Sequence, residues 1–103
     1  VVLAECYLAG MRYHEGGAVP VVDFQLGERL RLCSEPFNPA DRHAVGVRRA
    51  DGLMLGYLPR WINKVPSRLL AQGVPLGATL IKVNAGEPPW HRLKVCVTLG
   101  GFD

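Results

Sequence analysis

A length of 103 residues, 49% of them hydrophobic and 20% charged, is that of one folded domain, read over 1–103, and excludes a disordered chain. The cysteines, Cys6, Cys33 and Cys96, form no CxxC pair and argue against a disulfide framework, which points to a reducing, intracellular compartment. A net charge of +3, with arginine the dominant base, suits phosphate but is too small to hold nucleic acid without stacking or shape.

No apolar run reaches the ~20 residues that cross a bilayer. No signal peptide is visible, and the start at Val1 reads as a processed or trimmed end. Twelve Gly and eight Pro predict many turns between short strands. Val1 to Ala9 predicts the first strand, with Val2, Ala4, Cys6 and Leu8 on one face and Leu3, Glu5 and Tyr7 on the other. Gly10 ends it, and Glu15-Gly16-Gly17 turns the chain. Val19–Phe24 is ambiguous, a short strand at most, broken by Pro20. Glu28 to Ser34 alternates, with Leu30 and Leu32 opposite Arg29, Arg31 and Cys33. Pro36 to Asp41 is a loop. Ala44 to Arg49 is a strand with Val45 and Val47 inward, joined through the hairpin signal Ala50-Asp51-Gly52 to Leu53–Leu58.

From Pro59 the pattern is helical to Gln72, with Gly73 as the residue past its end. Trp61, Val65 and Leu69 form an apolar stripe, which assigns Trp61 to the core. Pro66 would cost ~3 kcal/mol inside a helix, which splits the region into two short helices, Arg60–Lys64 and Pro66–Gln72. Gly77–Asn84 and His91–Leu99 are the last strands. Five or six short strands with a helical insertion after the fourth suit a mainly β, small, OB-like, partly open β-barrel. The strand order stays open.

Several residues carry chemistry, each beside a plainer role. Arg12-Tyr13 follows the first strand, where the ring offers a platform for a base and the guanidinium a hold on phosphate; a half-buried Tyr beside a solvated Arg fits the residues taken alone better. Asn38 and Asp41 favour turns because their side chains bond nearby amides. A carboxylate near a polyanion also needs a donor, and a strand's terminal hydroxyl is one. Tyr57 closes a strand, and Arg60 begins a helix, where free amides suit phosphate. Lys64, one turn on, extends a basic strip. Trp90 either stacks on a base or plugs the barrel. The histidines, acids and cysteines show no metal-ligand spacing and no cofactor motif, and the scattered acids form no catalytic constellation.

Three blocks in this order, Gly10-Met11-Arg12-Tyr13 with Gly16, then Leu30 to Val45 around Asn38-Pro39-Ala40-Asp41, then Gly56-Tyr57-Leu58-Pro59-Arg60, resemble the HIRAN domain. The likeness runs from about Glu5 to Leu99. That family is a small β-rich module found at the front of some DNA-fork-remodelling ATPases and as a stand-alone bacterial protein. The resemblance implies a non-catalytic module that binds the 3′ hydroxyl end of single-stranded DNA in repair or fork processing. Arg12 and Tyr13 would contact the end nucleotides, Asp41 would accept from the hydroxyl, and Arg60 would bind phosphate. Tyr57 and, more loosely, Trp90 complete the match. A larger ATPase or nuclease would be a further partner, and no membrane is implied. Two positions depart from the pattern. Ala40 stands where the family has an aromatic, and His14 stands where a second aromatic follows the Arg-Tyr pair. Losing one platform removes about 1–3 kcal/mol of stacking. Phe37 and Trp90 are the candidate substitutes, although Phe37 reads first as packing its own turn. A protein-interaction module on the same barrel is the alternative function.

Overall fold

Apolar alternation and a few glycine turns set the architecture of the computed structural model, which describes residues 1–10, 24–84 and 93–100. Among the described residues six strands form: β1 (Val2–Tyr7), β2 (Arg29–Ser34), β3 (Val45–Arg48), β4 (Met54–Tyr57), β5 (Leu76–Val83) and β6 (Leu93–Leu99), with one helix, α1 (Lys64–Ala71), between β4 and β5. All pairings are antiparallel, in the spatial order β1-β6-β5-β2-β3-β4. The sheet curls until its two edges meet, where Ala9, just past β1, pairs with Tyr57 at the end of β4. Two backbone hydrogen bonds make this rung, Ala9 N–H to the Tyr57 carbonyl at 2.8 Å and Tyr57 N–H to the Ala9 carbonyl at 2.9 Å. The mainly β, OB-like half-barrel is the expected class.

From Ala4 onward the alternating residues point as the sequence indicates; at the start of β1 a register shift between Val2 and Ala4 leaves Val2 exposed and sets Leu3 against the core, the reverse of the expected faces. Cys6, Leu8, Leu30, Val45, Val47 and Leu55 meet Ala78, Leu80, Leu93, Val95 and Val97 in one core, and Leu32 packs against it. Burial of this apolar surface drives the curl, since each fully buried Leu or Val contributes about 1.5–3 kcal/mol. The Val19–Phe24 segment lies mostly outside the described residues; Phe24 itself is buried and is not in a strand. Among the described residues no helix is long and apolar enough to cross a membrane.

The helical region departs from expectation. Arg60–Lys64 is not a helix but a turn, held by Ile62 N–H on the Pro59 carbonyl, and α1 starts only at Lys64. Arg60 therefore precedes the helix rather than opening it. Pro66 does not split α1, because it is the third helical residue, where an N–H has no backbone acceptor within the helix. The first i to i−4 bond is made one residue later, from Ser67 to Asn63. The apolar stripe is also displaced by one residue. Ile62, Pro66 and Leu70 face inward, whereas Trp61 is 77% exposed and Val65 is also exposed. Trp61 is therefore not a core residue. The helix ends as expected: Gly73 has φ +80°, and the Gly73 and Val74 amides bond back to Leu70 and Leu69.

Candidate functional site

The seam between β1 and β4 floors an open pocket of about 210 Å³. Ala9 and Gly10 line it from the end of β1, and Tyr57 and Leu58 from the end of β4. Asn38, Ala40 and Asp41 come from the β2–β3 loop, and Arg60 and Asn63 from the turn before α1. Gly10 has φ +71°, a conformation that suits glycine, and a Cβ there would sit 4.0 Å from the Tyr57 ring.

Local hydrogen bonds shape the loop. Asn38 Oδ1 accepts from the Ala40 N–H at 2.9 Å, and Asp41 Oδ1 accepts from the His43 N–H at 2.8 Å. Both are the turn-forming bonds that favour Asn and Asp in loops. Each residue also reaches further. Asn38 Nδ2 donates to Glu35 Oε1 at 2.9 Å, and Asp41 Oδ2 accepts from Asn63 Nδ2 at 2.8 Å. The Asp41 carboxyl is held below the usual carboxylate range, first by the His43 amide, then by Asn63, with Arg60 and His43 adding favourable charge against some desolvation.

Asn63 is the residue that sequence reasoning missed. It is buried and sits at the N-cap of α1, yet its side chain makes no cap bond and turns to Asp41 instead. Four residues on, the buried Ser67 hydroxyl lies 3.2 Å from His43 Nδ1. Helix positions i and i+4 thus fasten turn positions i and i+2. An asparagine just before a helix is the one sequence signal, and it points to an ordinary cap.

Tyr57 is held by Glu35. Its hydroxyl donates to the Glu35 carboxylate, 3.0 Å from one oxygen and 3.2 Å from the other. Burial, then this bond, raises the pKa of the phenol. Glu35 fits there because β3 has glycine at position 46; a Cβ on Gly46 would lie 3.0 Å from Glu35 Oε2 and 3.1 Å from Met54 Cε.

Arg60 reaches across the pocket mouth and stays largely in solvent. Its Nη2 donates to the Ala40 carbonyl at 3.2 Å, and its Nε lies 3.8 Å from Asp41 Oδ2. Of the residues singled out from sequence, Asn38, Asp41, Tyr57 and Arg60 converge on this pocket. Lys64 is exposed at the start of α1 and does not line it. Arg12, Tyr13, His14 and Trp90 lie outside the described residues. Phe37 does not pack its turn, because it is 95% exposed. Among the described residues no three His, Cys, Asp or Glu side chains gather where they could hold a metal ion.

Residues 1–97 match the HIRAN domain family model. The chain belongs to the HIRAN domain family. HIRAN domains are small DNA-binding modules. The half-barrel is similar to a crystal structure of a protein from Lactobacillus plantarum, with a TM-score of 0.80 and 22% identity over 94% of this chain and 91% of that one. It is similar also to the crystal structure of the HIRAN domain of human HLTF, with a TM-score of 0.73 and 17% identity over 96% of this chain and 77% of that one. At such identities the likeness bears on the fold. A Fanconi-associated nuclease 1 homolog from Arabidopsis thaliana is 33% identical over 66 residues, which are 64% of this chain and 7% of that protein. This HIRAN chain therefore matches only a small part of that curated relative.

Proposed function

We propose that this HIRAN domain is a non-catalytic reader of single-stranded DNA ends, with the 3′ hydroxyl taken by Asp41. The observation that carries the reading is the convergence of Asp41 with Tyr57 and Arg60, from two separated segments, on one open pocket. Asp41 lines the pocket, each of its oxygens takes a single amide donor and so retains acceptor capacity, and its depressed pKa keeps it ionised at neutral pH. A carboxylate accepts from a hydroxyl and repels a phosphate, so it discriminates a free end from a continuing strand. Arg60 supplies the compensating positive charge at the rim, for the phosphate one step back from the end. Arg12, Tyr13, His14 and Trp90 are proposed to add the stacking contacts, and Lys64 a further phosphate contact. Ala40 leaves one wall without a ring, and the exposed Phe37, three residues away, is the available platform. Residues 1–103 act as one module, and within a larger intracellular ATPase or nuclease the module would bring a strand end to the catalytic part.

The test is fluorescence anisotropy of a short single strand bearing a 3′ hydroxyl or a 3′ phosphate, with the native chain and Asp41→Ala. The native chain binds the hydroxyl end more tightly, and the variant loses the preference. Equal binding of both ends by the native chain removes hydroxyl capture. Arg60→Ala lowers the slope of log affinity against log salt by about 0.7. The second reading is a protein-interaction module on the same barrel, favoured by the missing ring at Ala40 together with the exposed Phe37. Binding that is indifferent to salt would select it.

A further inference from the structure

The pocket accounts for Arg60 but not for the surface that continues from it. Trp61 follows directly and is 77% exposed, although burying so large a side chain would favour folding by several times the thermal energy. The fold buries its neighbour Ile62 instead. Lys64, Val65 and Arg68 are exposed too, and the positions i, i+1 and i+4 place them on one face of α1. The sequence has no Asp or Glu from Gly52 to Gly86, so no acid from this stretch interrupts that face. Lys64 and Arg68 make no ion pair among the described residues. Lys64 stands in the first helical turn, which carries no acid, opposite to the charge preference of a helix start. Arg68, in the last turn, suits the helix end, but Lys64 gains nothing from its place at the start. An exposed indole flanked by cations at one-turn spacing has the chemistry of a single-strand track, on which any base can stack while phosphates meet the cations.

We infer that Arg60, Trp61, Lys64, Val65 and Arg68 form a second nucleic-acid contact that carries the strand away from the pocket, 5′ of the bound end. The inference rests on the end-binding reading for its polarity, but not for its chemistry. It fits nucleic acid over an acidic protein because it adjoins the pocket and pairs an unburied ring with alternating cations.

The experiment compares oligonucleotides of about four and about twelve nucleotides, all ending in a 3′ hydroxyl, with the native chain, Trp61→Ala, Arg68→Gln and Asp41→Asn. The native chain binds the longer strand about five- to a hundredfold more tightly, the gain from one added stacking platform. Trp61→Ala removes that gain and leaves the four-nucleotide affinity unchanged. Arg68→Gln weakens binding of the longer strand alone and lowers its salt slope. Asp41→Asn weakens both lengths. Trp61→Ala binding both lengths as the native chain does overturns the inference, leaves end binding intact, and gives the surface to an acidic protein partner. A long strand held through Trp61 by a chain blind to the four-nucleotide end supports the track and defeats the end-binding reading. Equal urea midpoints for native and Trp61→Ala chains establish that the effect is not unfolding, as expected for so exposed a side chain.

Discussion

Tyr57→Phe removes one hydroxyl and keeps the ring that walls the pocket. That hydroxyl donates to Glu35, 3.0 Å and 3.2 Å from the two carboxylate oxygens. A hydrogen bond to a charged partner is worth about 1.5–3 kcal/mol where water is excluded. This one is only partly buried and shares a single proton between two oxygens, so about 1 kcal/mol is the expected loss. In a domain near this size that lowers Tm by about 4–8 °C. The variant also changes the pH dependence. The folded pKa of Tyr57 lies above its unfolded value. Its contribution is therefore whole below about pH 10 and is lost as pH rises through the folded pKa. Tyr57→Phe flattens the alkaline limb of stability against pH, and a double-mutant cycle with Glu35→Ala by urea unfolding gives a coupling of about 1 kcal/mol. A Tm within about 1 °C of the native value, with the alkaline limb unchanged, would refute the view that Glu35 holds this ring through its hydroxyl.

Three further outcomes follow from the same structure. Asn63→Ala takes a donor from Asp41 and raises its pKa toward the usual range, as carboxyl NMR titration would record. Because the folded pKa of Asp41 is depressed, its stabilisation is present above the unfolded pKa and lost as pH falls through the folded one, so in Asn63→Ala the acid limb moves to higher pH. An unmoved Asp41 titration counts against the bond. Pro66→Ala costs about 1–2 kcal/mol of packing and leaves the far-UV helical signal unchanged, since Pro66 interrupts no helical bond; a changed helical signal contradicts its first-turn position. Burial pushes the Cys6 thiol up to about 11, so alkylation at neutral pH spares Cys6 until the chain unfolds. Rapid labelling of Cys6 in the folded protein contradicts its core position.

The strands were most legible where apolar residues two apart share the inward face: Leu30 with Leu32, Val45 with Val47, Val95 with Val97. The helix was less so. Its eight residues include a proline and offer two apolar stripes one residue apart, Trp61-Val65-Leu69 and Ile62-Pro66-Leu70, and only packing against the barrel chooses between them. Burying the larger Trp61 is the better local choice, and the fold does not make it. In the site, Asn38, Asp41, Tyr57 and Arg60 were visible as residues placed at turns and element ends. Asn63 was not, because the pattern put it inside a helix over Arg60–Lys64, and only the tertiary approach of the β2–β3 loop offers it Asp41. The role of Glu35 was hidden for a similar reason: it depends on the space left by Gly46 on the neighbouring strand.

The single rung between Ala9 and Tyr57 acts as a latch. It is an isolated bridge, without a ladder of described neighbours to share the load, and such places open at a lower free energy than a core strand does. The pocket is lined by both halves of that latch, Ala9 with Gly10 and Tyr57 with Leu58. A guest touching both sides favours the shut form over the sprung one, and the two latch amides exchange with solvent more slowly by a factor that grows as one plus guest concentration over Kd. Occupancy is thereby written into the backbone itself. It is felt where β1 hands over to Gly10, so a module spliced into a longer chain could signal a filled pocket through its own main chain.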